Sequence, residues 1–289
     1  MFYLSFAILS VLLMHGKADK DIPAQKLIQL AFGVTKSTYL PFKGARYIKN
    51  GHIIGLKDRG GRYRKRKEKS VCNIGGWEGY SYEKKEIEIL LFKHADQKLA
   101  VFGFRGTDSL KDWLKNLKMK LANMRIGRKR FKIYKGIRNR YYDFSSWFEE
   151  EYQAIPQDYT ILITGHSLGA ALATIASAFA AGKLHRKPNA VVTFGSPMIG
   201  NKAFRQYYVD KVGCEDTLRI ANEGDAVTKL PPGKNYVHVC SALKVSGRKR
   251  RFGISNISRA HGLYDGYAKG LSMKFSNKNA INFGCDQRL

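Results

Sequence analysis

The chain has few acidic residues and few cysteines for its length, and it has no long uninterrupted apolar segment. Its 289 residues include 23 Asp and Glu against 51 Lys and Arg, which gives a formal net charge of +28 at pH 7. The 4 cysteines form no Cys-x-x-Cys pair, which argues against a zinc or dithiol redox site. The apolar run at residues 2–14 is too short to cross a bilayer comfortably. We expect no metal and no organic cofactor.

The apolar run near the start of the chain has the features of a secretory signal peptide. It is followed by Gly16-Lys17-Ala18, which puts small residues at the two positions that a signal peptidase reads. We therefore interpret residues 1–18 as a signal peptide and expect a secreted, extracellular protein. The segment that precedes the run has no Lys or Arg, so an N-terminal apolar strand or a membrane anchor stays open as an alternative.

An oxidising compartment favours disulfide bonds among the cysteines. We predict the pairs Cys72–Cys285 and Cys214–Cys240, with four buried thiols as the alternative. The sequence Asn256-Ile257-Ser258 is an N-glycosylation sequon that a eukaryotic secretory route can use.

The rest of the chain, residues 19–289, is interpreted as a single domain because it contains no linker rich in Pro, Gly or Ser and no internal repeat. Apolar periodicity predicts strands at 86–93, 98–104, 159–164, 190–194, 217–221 and 236–245, and helices at 22–34, 137–155, 170–181 and 201–212. Residues 57–85 look basic and irregular. Strands that alternate with helices predict an α/β fold with a central, mostly parallel sheet flanked by helices.

The excess of positive charge is concentrated in three clusters, at residues 59–67, 128–130 and 248–251. Such a surface attracts polyanions, and anionic lipid, glycosaminoglycan and nucleic acid are all candidates. We expect binding to an anionic membrane or another polyanionic surface, without specific recognition of nucleic acid. The oligomeric state is not predicted.

The most informative motif is Gly165-His166-Ser167-Leu168-Gly169. It directly follows the apolar run that ends at Thr164 and directly precedes the run of small residues at 170–181. A G-x-S-x-G motif between a strand and a helix is the context of a nucleophile elbow, a tight turn that exposes a serine hydroxyl above the sheet. Ser167 is therefore the candidate nucleophile of an acyl-transfer reaction.

A serine nucleophile needs a general base, and in this type of sheet the histidine follows the serine in the chain. Three histidines do so. His185 comes too soon after the elbow, and His238 lies in an alternating run that looks like a strand. His261 lies where a loop meets a helix, so it is the favoured base, with His238 as its competitor.

The base needs an acid that orients it, and Asp225 lies in the turn after the strand at 217–221. Ligand sites in open α/β sheets form at this carboxyl end of the strands, where the carboxylate can hold the imidazole in one tautomer. Glu223 and Asp216 are the alternatives, and a turn aspartate that only caps backbone amides is the other possibility.

The negatively charged oxygen of a tetrahedral intermediate needs two hydrogen-bond donors. The backbone N–H of Leu168, directly after the serine, is one candidate. The other is Thr107, in the loop after the strand at 98–104, where Gly106 permits a bend.

Taken together, these motifs resemble the class 3 lipases, the fungal-type α/β-hydrolase lipases. The segments that carry the resemblance are Phe104–Thr107, Gly165–Ala170, Thr193–Pro197, Asn222–Val227 with Leu230–Pro232, and His261. The resemblance covers roughly residues 80–270 and implies Ser167, Asp225 and His261 as a catalytic triad, with Thr107 and Leu168 as oxyanion donors. The chain departs from the family pattern at Lys135, where the family usually has a histidine before a glycine; this position is not catalytic.

The segment at about 108–126 has a basic amphipathic pattern, and in the resembled family it forms a lid over the site. Its apolar positions share helical spacing: 110, 113, 114, 117, 121 and 124. We expect Leu110, Trp113, Leu114 and Leu117 to contact lipid when the lid opens. A plain surface helix that packs on the core is the alternative.

These observations predict a serine lipase that hydrolyses acyl esters of triacylglycerol or partial glycerides at lipid–water interfaces. A phospholipase A1, or another hydrolase of polar lipids, is the alternative. A non-catalytic protein that binds polyanions or membranes through a lipase fold is a third and weaker hypothesis.

Overall fold

The computed structural model describes residues 21–39, 48–49, 52–53, 56–57, 63–64, 77–84, 87–107, 120–247 and 259–275. The strands within these ranges are β1 (Ile48–Lys49), β2 (His52–Ile53), β3 (Leu56–Lys57), β4 (Tyr63–Arg64), β5 (Trp77–Lys84), β6 (Ile87–His94), β7 (Leu99–Phe104), β8 (Leu121–Ile126), β9 (Lys129–Tyr134), β10 (Thr160–His166), β11 (Ala190–Phe194), β12 (Thr217–Asn222) and β13 (Ala242–Val245). The helices are α1 (Asp21–Ser37), α2 (Lys135–Gln153), α3 (Leu168–Lys183), α4 (Lys202–Lys211) and α5 (Lys269–Phe275), with a 3₁₀ turn at Val227–Lys229 and a π-helix at Leu263–Ala268.

Seven strands form the central sheet, in the order β13-β12-β11-β10-β7-β6-β5. Strands β7, β10, β11, β12 and β13 run parallel to one another, and β6 and β5 complete the edge beyond β7 in antiparallel pairs. The carboxyl ends of β10 and β11 lie side by side, since His166 is in register with Phe194. The prediction of a mostly parallel α/β sheet is confirmed.

Helices cover both faces of this sheet because alternate residues of its strands are apolar on both sides. On one face, Phe102 and Ile163 pack with apolar residues of α2, α3 and α4. On the other face, Val101 and Leu162 pack with α1 and with the helices that follow His261. A strand that is buried on both faces reads as a continuous apolar run, which explains why β10 was recognisable in the sequence.

Helix α2 confirms the predicted amphipathic pattern of this segment. Its buried residues share one stripe at helical spacing: Ile137, Tyr141, Phe144, Phe148 and Tyr152. The helix ends at Gln153, just ahead of Pro156, whose ring cannot continue a helix. This stripe contributes five large side chains to the core on the side of the sheet that also carries α3.

Three predicted elements were wrong in part. Strand β5 lies in the segment that looked irregular, residues 57–85. The predicted strand at 236–245 is regular only over Ala242–Val245; before it, Val237 makes an isolated bridge with Gly200. The predicted helical stripe of the lid cannot extend to Leu121 and Met124, because both residues belong to β8.

The disulfide Cys214–Cys240 is present and confirms one of the two predicted pairs. It joins the segment before β12 to the segment before β13. The other predicted pair, Cys72–Cys285, lies outside the described residues, as do the proposed signal peptide and the Asn256 sequon.

Within the described ranges, no helix has the length and apolar character that a membrane crossing requires. The same part of the chain contains no cluster of three or more His, Cys, Asp or Glu side chains that could hold a metal ion.

Candidate active site

Ser167 forms the turn between β10 and α3. Its φ is 60° and its ψ is −124°, in the left-handed region that a residue with a side chain rarely adopts. The turn is tight because the end of β10 and the start of α3 lie almost in contact. A Cβ on Gly165 would lie 2.6 Å from the carbonyl carbon of Gly169, and a Cβ on Gly169 would lie 2.1 Å from the carbonyl oxygen of Phe104. The two glycines of the motif are therefore required for the backbone approach that holds Ser167 at the carboxyl edge of the sheet.

Asp225 and His261 form a buried pair at the same edge. Asp225 lies in the turn after β12 and is fully buried, and His261, which precedes the π-helix, is 3% exposed. The Nδ1 atom of His261 lies 2.8 Å from Oδ2 of Asp225. The other carboxylate oxygen, Oδ1, accepts a 2.8 Å hydrogen bond from the backbone N–H of Val227. The carboxylate is thus fixed from two sides and leaves the other ring nitrogen of His261, Nε2, for chemistry.

The serine and the imidazole lie close to each other across the ends of β10 and β11. The backbone N–H of Ser167 donates to the carbonyl of Phe194 over 2.9 Å. The next residue, Gly195, has a φ of +64°, and a Cβ there would lie 3.0 Å from Cε1 of His261. Within the described residues, the buried atoms Ser167 Oγ and His261 Nε2 have no hydrogen-bond partner. A buried hydroxyl and a buried imidazole nitrogen that have no protein partner are the groups that a nucleophile and a general base require.

The loop after β7 approaches the serine from the other side. A Cβ on Gly106 would lie 3.2 Å from the Cβ of Ser167, so the loop backbone contacts the nucleophile. Arg105 fixes the loop to β6 through an ion pair with Glu88 and through a backbone bond of 2.9 Å to the same residue. Thr107 comes next and is partly exposed. The sequence-predicted oxyanion loop is therefore adjacent to Ser167.

Leu168 is the first residue of α3. The first N–H groups of a helix have no partner within the helix, and the helix dipole places partial positive charge there. The Leu168 N–H is therefore well suited to stabilise a negatively charged oxygen next to Ser167.

The alternative site residues lie elsewhere. The Nε2–H group of His238 donates to the carbonyl of Thr228 over 2.7 Å, and burial lowers the pKa of His238 to about 4. Glu223 is exposed and accepts a bond from Ser246, and Asp216 pairs with Lys187 at 2.7 Å. His185 is exposed beyond the carboxyl end of α3. None of the four is placed to act on Ser167.

The sequence reasoning missed three side chains that support this site: Tyr267, His166 and Tyr39. Tyr267 is buried and donates a 2.5 Å hydrogen bond to Oδ2 of Asp225, the oxygen that also contacts His261. Burial and the neighbouring carboxylate raise the pKa of the Tyr267 hydroxyl well above its usual range, so it remains a donor. The sequence feature that could have indicated Tyr267 was its position six residues after His261.

His166 connects the oxyanion loop to the base. Its Nε2–H donates to the backbone carbonyl of His261 over 2.8 Å, so its Nδ1 accepts from the hydroxyl of Tyr39, also at 2.8 Å. The Tyr39 oxygen in turn accepts from the backbone N–H of Gly106 at 3.2 Å. Burial, with a smaller contribution from His261, lowers the pKa of His166 well below its usual range. His166 is therefore neutral at neutral pH, which is the state that this arrangement of donors requires.

We predict that Tyr267→Phe lowers the free energy of unfolding by about 1–3 kcal/mol, because the buried carboxylate of Asp225 loses a donor that nothing replaces. Turnover should fall as well, since Asp225 then holds His261 less firmly. Denaturant unfolding and the kcat of ester hydrolysis measure the two effects. The matched control is Tyr264→Phe, in the same π-helix, where the side chain is 60% exposed. Equal behaviour of the two variants would contradict the role of Tyr267 as a positioning residue.

The four lid residues predicted to contact lipid, Leu110, Trp113, Leu114 and Leu117, lie outside the described residues.

The sheet order and the serine turn between β10 and α3 are those of an α/β-hydrolase fold. Residues 101–235 match the family model described as lipase (class 3). The matched range includes Ser167 and Asp225, and His261 lies outside it. The resemblance found in the sequence motifs is confirmed.

Two curated relatives illustrate the range of the family. The chain is 31% identical over 183 residues to a chloroplastic phospholipase A(1) of Arabidopsis thaliana, which covers 56% of this chain and 39% of that protein. It is 36% identical over 74 residues to a secreted mono- and diacylglycerol lipase of Fusarium solani, covering 26% of this chain and 21% of the relative. The chain thus spans less than half the length of these relatives.

Solved structures support the fold. A triacylglycerol lipase, whose structure was described for a serine protease triad at its catalytic centre, superimposes with a TM-score of 0.61 at 19% identity, over 79% of this chain and 82% of the other. The native lipase–propeptide complex of Rhizomucor miehei gives a TM-score of 0.57 at 18% identity, over 80% of this chain and 70% of that one.

Proposed function

We propose that the protein is a serine-dependent carboxylic ester hydrolase that cleaves acyl esters of glycerolipids, either triacylglycerol or partial glycerides, at a lipid–water interface. The observation that carries the proposal is that the hydroxyl of Ser167 and the Nε2 atom of His261 are both buried and unsatisfied at the same edge of the sheet, while the other nitrogen of His261 is held by buried Asp225. The match of residues 101–235 to the class 3 lipase model supports the proposal.

In the acylation half of the proposed reaction, Ser167 Oγ attacks the carbonyl carbon of the ester and its proton passes to His261 Nε2. The carbonyl oxygen becomes negatively charged and accepts hydrogen bonds from the Leu168 N–H and from Thr107. Asp225 stabilises the charged imidazole. The C–O bond to the alcohol then breaks, and His261 returns the proton to the leaving alcohol.

In the deacylation half, a water molecule attacks the acyl-enzyme and gives a proton to His261. The fatty acid leaves when the bond to Ser167 Oγ breaks and His261 reprotonates that oxygen. In both halves, the imidazole of His261 carries the transferred proton.

Ser167 is only 3% exposed, so a bulky lipid needs a movement of the surrounding structure to reach it. We propose that the segment at about 108–119 is a lid, because it follows the oxyanion loop and its sequence is basic and amphipathic. When this proposed lid opens, it would carry Trp113 and Leu117 toward the acyl chains of the lipid.

Secretion is part of the same proposal. The Cys214–Cys240 disulfide is typical of an oxidising compartment, and two fungal relatives are named as secreted lipases. The apolar run at residues 2–14 supplies the proposed signal.

A phospholipase A1 is the second candidate. It is favoured by the 183-residue match to a plant phospholipase A(1) and by the net charge of +28, which attracts anionic phospholipid surfaces. A non-catalytic lipid-binding protein is a third candidate, which an absence of fatty-acid release would favour.

The distinguishing experiment measures fatty-acid release from a triacylglycerol emulsion, from anionic phospholipid vesicles and from neutral phospholipid vesicles. We expect faster release from the emulsion than from either vesicle. Faster release from vesicles would replace the proposal by the phospholipase assignment. Absence of release from all three, with vesicle binding retained, would overturn the enzymatic proposal for glycerolipids.

A further inference from the structure

The β8–β9 hairpin has one apolar face and one cationic face. Residues that point inward are buried in the core: Met124, Ile126, Phe131 and Ile133. The residues on the other side and at the turn are exposed and basic; we call them the cationic face, and they are Arg125, Arg128, Lys129, Arg130 and Lys132. The hairpin is therefore anchored by one side and presents five positive charges to solvent on the other.

These charges have no internal counterpart. The sequence contains no Asp or Glu from residue 120 to residue 142. Among the residues that the structure describes, none of the five basic side chains forms an ion pair with a carboxylate. Arg125 lies directly opposite Arg130 in the register of the two strands, and like charges in this position destabilise a hairpin. The cationic face works against the stability of the hairpin, which points to a ligand of opposite charge.

The hairpin runs along the side of the molecule, away from the serine. At one end, the backbone N–H of Tyr134 donates to the carbonyl of Ile199 over 2.8 Å, close to the carboxyl edge of the sheet. Toward the turn, Ile126 packs against Gly182, at the far end of α3. Gly182 lies 15 residues after Ser167, so at 1.5 Å per helical residue the turn lies about 22 Å from the nucleophile. A lipid surface that faces the active site cannot also lie against the whole cationic face.

The chemistry of the face selects among polyanions. It exposes no apolar side chain that could insert into a bilayer, and no aromatic ring on which a nucleic-acid base could stack, since Phe131 and Tyr134 are buried. Three of its five cations are arginines, whose planar guanidinium groups bind oxyanions through paired hydrogen bonds. Along a strand, side chains of one face repeat about every 6.8 Å and form a linear row of positive charge.

We propose that the cationic face binds an extended sulfated polysaccharide, which lies along the hairpin and leaves the active site open to lipid. The sulfate groups pair with Arg125, Arg128 and Arg130, and Lys129 and Lys132 add to the attraction. The protein is held at a polyanionic matrix by one surface and acts on lipid with another. This inference does not depend on the proposed ester hydrolysis.

The test compares heparin binding of the native full-length chain with two variants of equal net charge. The first carries Arg125→Gln, Arg128→Gln, Arg130→Gln and Lys132→Gln. The control carries Lys211→Gln, Lys234→Gln, Lys244→Gln and Lys274→Gln, all at exposed positions outside the hairpin. At about 0.15 M salt, we expect the dissociation constant for heparin to rise about tenfold or more in the hairpin variant and less than about threefold in the control.

Binding to anionic vesicles and fatty-acid release are measured on the same proteins and should be retained by the hairpin variant. An Arg→Lys variant at positions 125, 128 and 130 keeps the charge, and its intermediate affinity would support guanidinium recognition. Equal losses in the hairpin variant and the control would overturn the proposal in favour of a general charge effect. So would unchanged heparin affinity in a folded hairpin variant, or a loss of vesicle binding greater than the loss of heparin binding.

Discussion

Ser167→Ala is expected to lower kcat for ester hydrolysis by about 10⁴-fold or more, which is the scale of loss when the nucleophile of a serine hydrolase is removed. The alanine has no oxygen to attack the carbonyl. The turn at Gly165–Gly169 contains no other hydroxyl group. The backbone conformation of the elbow does not depend on the hydroxyl, because the Ser167 side chain makes no hydrogen bond to the described residues. The variant should therefore fold normally and bind lipid while releasing no fatty acid.

Ser177→Ala is the matched control for this variant. Ser177 is also buried and lies on α3, but its hydroxyl donates to the Ala173 carbonyl and interacts with the hydroxyl of Tyr208, on the side of α3 that faces α4. We expect the activity of this variant to stay within about twofold of the native value, since the lost contacts do not involve the residues of the candidate site. If Ser167→Ala kept most of the native activity, the nucleophile would have to be another group.

Asp225→Asn is the second large effect, and we expect a loss of about 10⁴-fold in kcat. The carboxylate accepts from His261 Nδ1 and so leaves Nε2 unprotonated and able to accept the serine proton. An amide can present its NH₂ to Nδ1, which favours the tautomer that carries its proton on Nε2, and that tautomer cannot act as a base. An amide NH₂ at that position would also face the hydroxyl of Tyr267, which donates to the same oxygen that contacts His261.

The control for Asp225→Asn is Glu223→Gln, which neutralises an exposed carboxylate two residues away. Measured as kcat across pH 6 to 9, the control should follow the native profile. An Asp225→Asn protein with nearly native turnover would show that His261 is positioned without Asp225 and would contradict the assigned pair.

Elements with strong periodicity were predictable from the sequence. Strand β11 matches the predicted range of 190–194, and α2 buries the predicted aromatic stripe. The elbow was recognisable because its glycines, its strand and its helix are consecutive in the chain. The residues that the structure brings together at the site, Ser167, Asp225 and His261, were the ones chosen from motif order and from the carboxyl-end rule.

The β8–β9 hairpin shows why other elements were missed. Leu121 and Met124 are three residues apart, which fits a helical stripe, whereas the strand buries Met124 and Ile126 at a spacing of two. The burial that decides between them, with Met124 and Ile126 inward, is set by the packing of β8 against α2 and α3. A signal was present in Gly127-Arg128, a two-residue turn that starts with glycine in the left-handed region, as hairpins often have.

The segment before β13 was predicted as a strand from its local pattern but is mostly irregular. Tyr236-Val237-His238-Val239-Cys240 alternates as a strand does, but the disulfide to Cys214 and the bond from His238 to the Thr228 carbonyl hold it away from the sheet. Such long-range constraints are not readable from local periodicity. The links from Tyr39 and Tyr267 to the site are of the same kind, because they join residues far apart in the chain.

The most direct test of the nucleophile is covalent labelling with a fluorophosphonate, followed by mass spectrometry of the intact protein and of its peptides. Ser167 Oγ attacks the phosphorus, fluoride leaves, and His261 takes the proton, so the reagent reports the same activated oxygen that the proposed reaction uses. We predict one adduct per chain, on the peptide that contains Ser167. We expect no adduct in Ser167→Ala and much slower labelling of Asp225→Asn. An unlabelled native protein, or an adduct that persists in Ser167→Ala, would contradict this prediction.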